Sequence, residues 1–321
     1  MLTKYLPIYG KIKSIASAGD SKMLSLSHDK DSGVYSLHSL NVHEILLATT
    51  QFQREENCVS IPLDGLEKNE DPLYVLASED HNFLVTENGI YAVDSVQQSI
   101  KEIISVGKVL FCGIVNDIKS QDLALISNDE LCIYSKKRTK YTKEQGLPLS
   151  GSATALSIST DGKWIAVGYE NGTVEVFGKG KTKFSSVPGS MEPNPIPMHK
   201  NGSVKNLAIV RYDGFKKPFV VSFGADRQVR QARVDELMPS VRATTGLHTG
   251  MVKGLVSNAN TGRFYTVSQD GEAKAWLNTR KKSPPQTVYV NEDLQSATFL
   301  SFLEVLSYPP GSALSVHRAP S

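Results

Sequence analysis

The 321-residue sequence predicts an all-β chain, a seven-bladed β-propeller of four-stranded antiparallel blades, and three observations carry that expectation. Short segments in which small or charged residues alternate with apolar ones recur along the chain. Each is followed by two further strand-like runs separated by tight polar turns. The whole unit repeats at about 42 residues, inside the range that marks solenoids, propellers and arrays.

The alternating segments are KIKSIAS from Lys11, SATALSI from Ser152, SVKNLAI from Ser203, MVKGLVS from Met251 and SATFLSF from Ser296. A period of two gives each a single buried face. The stretch TDGKWIAVGYENGTVEVF, Thr160 to Phe177, shows the continuation: a turn, a more apolar strand, a second turn and a third strand. Aligned third strands place Leu37, Val93, Tyr134, Phe177, Ala232, Trp276 and Val316 at equivalent points, 56, 41, 43, 55, 44 and 40 residues apart. The two long intervals hold insertions, at about 51–72 and 187–201, both read as surface loops. The first contains apolar Val59, Ile61 and Leu63, read either as a partner-binding strand or as decoration. The second is Pro-rich without a regular PxxP pattern. Asn171 and Asn201 begin glycosylation sequons but are read as turn residues.

No segment has sustained helical periodicity, which argues against α/β and α-solenoid folds. The last unit ends soon after SALSVHR, Ser312 to Arg318, and TKYLPIY, Thr3 to Tyr9, precedes the first repeat as a spare strand. The expectation is one domain over 1–321, its ring closed by the N-terminal strand joining the last blade.

Lys and Arg number 35 against 33 Asp and Glu, a net charge of +2, so no global field drives the molecule toward nucleic acid or membrane. No apolar run approaches the roughly 20 residues of a membrane span. The N-terminus lacks a secretory pattern, so the expected location is intracellular, cytoplasmic or nuclear. Cys58, Cys112 and Cys132 match no metal or redox spacing and are read as reduced thiols. Neither a metal nor a cofactor is expected.

The unit from His248 to Trp276, HTGMVKGLVSNANTGRFYTVSQDGEAKAW, resembles a WD repeat. In that family a His before the first strand, a Ser or Thr ending the second, an Asp in the next turn and a Trp in the third form a buried hydrogen-bonded tetrad. By position the resemblance implies His248, Ser268, Asp270 and Trp276. The fifth unit keeps His199 and Asp226 but has Gly224 and Ala232 at the other two positions. A hydrolase triad of His248, Ser268 and Asp270 is set aside, because no nucleophile elbow surrounds Ser268. No catalytic residue is expected, and a propeller-class enzyme would need metal-binding or paired acidic residues that the sequence does not supply.

What the resemblance implies is scaffolding: protein–protein interaction within an intracellular complex. Beyond the blades, basic residues cluster in turns: Lys136, Lys137, Arg138 and Lys140 in the third unit, Lys179, Lys181 and Lys183 in the fourth, Arg280, Lys281 and Lys282 in the sixth. Lys163 and the pair Lys216, Lys217 occupy the turns after first strands in the fourth and fifth units. In a four-stranded meander the turns after strands one and three lie at one end, so these residues converge on one rim. An acidic or phosphate-bearing partner is expected there. The alternative function is binding of nucleic acid or a ribonucleoprotein, although no recognition helix, zinc spacing or aromatic cluster accompanies the charge.

Overall fold

The computed structural model describes residues 4–5, 11–18, 22–29, 31–47, 56–63, 66, 70–78, 81–117, 120–187, 195–212, 215–234, 240–243, 248–258, 263–276, 285–290, 296–300, 303–307 and 315–318. In chain order, β1 (Lys4–Tyr5) precedes β2 (Lys11–Ala18), β3 (Lys22–His28), β4 (Tyr35–Asn41), helix α1 (Val42–Leu47) and β5 (Cys58–Ile61). Next come β6 (Pro72–Ala77), β7 (Asn82–Thr86), β8 (Gly89–Asp94), β9 (Ser99–Ser105), β10 (Phe111–Asp117), β11 (Ser120–Ser127), β12 (Glu130–Lys137) and β13 (Lys140–Pro148). β14 (Ala153–Ile158), β15 (Trp164–Tyr169), β16 (Thr173–Lys179), β17 (Phe184–Val187) and β18 (Ile196–Pro197) follow. The remainder is β19 (Val204–Val210), β20 (Phe219–Gly224), β21 (Val229–Arg233), β22 (Ser240–Ala243), β23 (Val252–Asn258), β24 (Arg263–Ser268), β25 (Glu272–Trp276), β26 (Gln286–Val290), β27 (Ser296–Leu300), β28 (Leu303–Ser307) and β29 (Ser315–Arg318).

Six antiparallel sheets take four consecutive strands each: β2–β5, β6–β9, β10–β13, β14–β17, β19–β22 and β23–β26, here blades 1 to 6. β18 adds a fifth strand to blade 4 by pairing with β16. The chain divides into two compact units. Unit 1 is Met1–Val109 with Asp293–Ser321, and unit 2 is Leu110–Glu292.

The expectation of seven blades in a ring sealed by the N-terminal strand is corrected: this is a six-bladed propeller, and no closed ring is described. The terminal sheet joins β27–β29 to β1, Lys4 opposite Val316 and Tyr5 opposite Ser315, and the other residues of the expected strand, Thr3 and Leu6 to Tyr9, lie outside the described residues. Two further departures concern local elements. β5 lies inside the segment read as the first insertion, as the outer strand of blade 1, and β18 lies inside the second.

In unit 1 the core sits between blades 1 and 2, where Leu24, Leu26, Leu37 and Ile61 meet Val75, Leu84, Tyr91 and Val93. In unit 2 every blade interface repeats this arrangement. Ile133 and Ile126 pack against Ile165, Val167 and Phe177 between blades 3 and 4. Ala166 and Val176 meet Leu207, Ile209 and Val220 between blades 4 and 5. Val210, Val221 and Phe223 meet Phe264 and Trp276 between blades 5 and 6. Because side chains alternate across a strand, the inner strands of a flanked blade bury both faces, and WIAVGY of β15 is apolar almost throughout for that reason. Outer strands see water on one side; β13, KYTKEQGLP, carries the exposed pattern this demands. Among the described residues no helix is long and apolar enough to cross a membrane.

Candidate functional site

Four turns of unit 2 build the basic end, the β16–β17 turn with Lys181 and Lys183 among them. The β12–β13 hairpin pairs Lys137 with Lys140 and leaves Arg138 and Thr139 as a two-residue loop, with Arg138 at φ 57°, the left-handed backbone that such tight hairpins require. The β14–β15 turn is fixed by Asp161, whose Oδ1 accepts from Ser159 Oγ at 2.6 Å and from the Lys163 backbone N–H at 3.1 Å. Gly162, at φ +64°, completes that turn. The β19–β20 loop is held by Phe219, whose ring centroid lies 5.0 Å from those of Tyr212 and Phe215, and it presents Lys216 and Lys217.

Contacts between blades show that these turns are neighbours. Gln145 of blade 3 donates to Phe184 O at 2.7 Å and accepts from Phe184 N at 2.9 Å in blade 4. Lys179 N donates to Lys163 O at 2.8 Å within blade 4. Lys217 of blade 5 lies over the Trp164 ring of blade 4 at 4.7 Å, and Arg211 of blade 5 pairs with Asp161 of blade 4 at 2.8 Å. Lys136, Lys137, Arg138, Lys140, Lys163, Lys181, Lys183, Lys216 and Lys217 are exposed along this run. Lys179 differs: its side chain is 15% exposed, 3.9 Å from Asp122 and over the Phe184 ring. Lys137 pairs with Glu144 at 2.6 Å. Arg280, Lys281 and Lys282 lie outside the described residues.

The predicted tetrad of blade 6 takes a different hydroxyl. Trp276 Nε1–H donates to Thr266 Oγ1 at 2.8 Å, Thr266 is 2.7 Å from His248 Nε2, and His248 Nδ1 is 3.2 Å from Asp270 Oδ1. A neutral ring protonated at Nδ1 satisfies every link. Asp270 also accepts backbone N–H groups of Thr249, Gly250 and Glu272. Ser268 is corrected out of this chain: its Oγ donates to Met251 O at 3.2 Å. Blade 5 repeats the pattern without the indole, since His199 Nδ1 meets Asp226 Oδ1 at 2.8 Å and Nε2 meets Ser222 Oγ at 2.9 Å. Gly224 stands two residues after Ser222 because a Cβ there would come within 2.4 Å of the His199 ring.

In both blades the hydroxyl stands four residues before the Asp. Thr266 and Ser268 share one face of β24 and are both fully buried, so alternation alone does not separate them. That repeated spacing, Ser222 to Asp226 and Thr266 to Asp270, is the signal the sequence held. Two other blades reach the same end by carboxylates. Glu175, buried in blade 4, accepts from Tyr169 at 2.5 Å, Ser150 at 2.9 Å and Ser186 at 3.2 Å, and Glu70 of unit 1 accepts from Thr86 and Tyr91.

Donor atoms of His248, Asp270 and Glu272 lie within 4.8 Å of one another, the spacing of a metal site. They are already engaged: Asp270 by three N–H groups and the ring, and Glu272 by Lys274 Nζ at 2.7 Å. The Glu272 carboxylate is thus already matched by a buried ammonium. Nor does Ser268 face the imidazole as a nucleophile would, because Nε2 already accepts from Thr266.

Burial, the largest influence, pushes the pKa of His199 and His248 down despite their Asp partners, and it lowers that of His38 in unit 1. Burial also works to raise the Asp270 carboxyl, but the N–H groups of Gly250, Glu272 and Thr249, together with the His248 ring, hold it well below the usual range. In the unfolded chain a histidine gains its proton near pH ~6.5. Below that pH the unfolded state binds more protons than the fold, so stability is complete above it and falls as the pH drops toward the folded-state values. The urea midpoint is expected to decline between about pH 7 and about pH 5; a flat profile contradicts the neutral-ring assignment.

No protein-family model matches the chain, and no curated protein matches it. Among solved structures it is similar to a chain of the mitotic checkpoint complex, at 10% identity and a TM-score of 0.69, covering 100% of this chain and 94% of that one. It is similar also to U3-55K, at 13% identity and a TM-score of 0.69, covering 98% of each chain. At these identities the likeness is one of fold, and the fold is a β-propeller.

Proposed function

We propose that this chain is a non-catalytic scaffold or adaptor that binds protein partners as a subunit of an intracellular complex, cytoplasmic or nuclear, and that the basic end of blades 3 to 5 is its contact surface. The observation that carries this reading is the run of nine exposed cations across three neighbouring blades in a chain of net charge +2. Scattered solubilising charges have no reason to gather on one end. The fold similarity to a chain of the mitotic checkpoint complex supports the complex-subunit part. The buried His–Asp chains serve blade stability in this account, as the WD-repeat resemblance implies.

The test is affinity capture with mass spectrometry, comparing wild type with a Lys140→Glu, Lys181→Glu, Lys216→Glu variant. Each substituted lysine is exposed and has no ion pair among the described residues, so the variant is expected to fold normally by circular dichroism. Selective loss of wild-type partners is the expected result; retention of the same set overturns the assignment of the surface. A nucleic-acid partner would announce itself by salt dependence, with a slope of roughly −3.6 in log K against log salt if about four phosphates were neutralised on a duplex.

A further inference from the structure

Between the β14–β15 turn and the β19–β20 loop, on the basic end itself, lies a cleft of about 190 Å³ lined by Ser159, Thr160, Asp161, Ile209, Arg211 and Pro218, with Val210 also contributing. It is smaller than the roughly 300–1,000 Å³ of pockets that enclose a cofactor or metabolite. Its scale is that of one leucine or phenylalanine side chain. Ile209, Val210 and Pro218 supply its apolar side, and Ser159, Thr160 and the Arg211–Asp161 ion pair supply a polar side of similar extent. Lys163 stands two residues beyond one wall in sequence, and Lys216 and Lys217 precede the other.

Resting on the reading of this end as the contact surface, we propose that its partner is an acidic protein segment with one large apolar side chain, which seats in the blade 4–blade 5 cleft while flanking carboxylates meet the lysines. Charge complementarity supplies the acidic part. Three features favour protein over nucleic acid. The cations are almost all lysines, point charges without the planar fork that grips phosphate in two places. A carboxylate stands among them, Glu144 on Lys137, where a continuous phosphate backbone would be repelled. Aromatic faces at this end are already engaged, Trp164 beneath Lys217, Phe184 buried beneath Lys179 and Phe215 packed edge-on against Phe219, which leaves them poor platforms for stacking bases. Asp161 does not repel an acidic segment strongly, since both its oxygens already accept internal donors.

The test selects phage-displayed random dodecapeptides on the full chain, then measures the enriched peptides against three proteins and one competitor. Enriched sequences are expected to carry several Asp or Glu around one Leu, Ile, Phe or Met. Thr160→Trp, which fills the mouth of the cleft at an exposed turn position, should weaken them about tenfold, and replacing the apolar residue of the peptide by Ala should cost the same and not add to it. The Lys140→Glu, Lys181→Glu, Lys216→Glu variant should weaken them at least as much. Peptides without acidic bias, or acidic peptides indifferent to Thr160→Trp, overturn the anchor while leaving the basic surface standing if charge reversal still abolishes binding. Displacement of the peptides by a single-stranded RNA dodecamer at lower concentration than by the peptide itself overturns the choice of partner. Indifference to charge reversal overturns the surface as well.

Discussion

Thr266→Val is expected to destabilise blade 6 by about 3 kcal/mol, because it strands two buried groups at once. Valine keeps the shape of threonine and removes only the hydroxyl. The Trp276 indole N–H loses its acceptor and His248 Nε2 loses its donor, both at sites sealed from water. Each buried group left without a partner costs roughly 1–3 kcal/mol. Ser268→Ala removes a weaker set, a 3.2 Å bond to Met251 O and a 3.4 Å bond from Asp270 N, and is expected to cost about 1 kcal/mol. Urea unfolding of the two variants separates the assignments: an equal or larger loss at Ser268 would restore the tetrad read from sequence.

Glu175→Leu carries the second large effect, about 3 kcal/mol. Three hydroxyls converge on this carboxylate, from the loop before β14, the end of β15 and the outer strand β17, so its removal loosens both the hairpin and the sheet edge. Glu175→Gln retains an acceptor oxygen for Tyr169 and Ser150, and its amide can donate to Ser186, whose hydroxyl rotates to accept. Less than half of the leucine loss is therefore expected by the same urea titration. Equal losses for the two variants would show that the charge, rather than hydrogen-bond acceptance, holds this corner.

These residues also show where sequence reading succeeds and where it stops. The blades were legible because the physics is local: a strand with one wet face alternates, and a strand between two blades does not, as β13 and β15 illustrate. β5 was hidden because CVSI is four residues long inside an acidic stretch, and its place as the outer strand of blade 1 comes from pairing with β4. Helix α1, six residues, is too short to show a period. The ring of seven blades did not hold, because a regular spacing and a spare strand in the sequence count repeats without saying how the sheets assemble.

For the basic end, meander connectivity alone placed Lys136 to Lys140, Lys181, Lys183, Lys163, Lys216 and Lys217 together. What it did not supply was the difference between them. Lys179 turns inward to Asp122, Lys217 covers Trp164, and the blade 4–blade 5 cleft is walled by residues some 50 positions apart in sequence, Asp161 and Arg211. Such pairings between neighbouring blades leave no periodic trace.

The central claim, that partners dock on the basic end of unit 2, is tested most directly by hydrogen exchange on the chain with and without a captured partner. The account predicts slowed exchange in the β12–β13 hairpin, the β14–β15 and β16–β17 turns and the β19–β20 loop, with the opposite end unchanged. Protection confined to that opposite end, at Asn128 to Glu130, Glu170 to Gly172, Ala225 to Gln228 and Gln269 to Gly271, would contradict it.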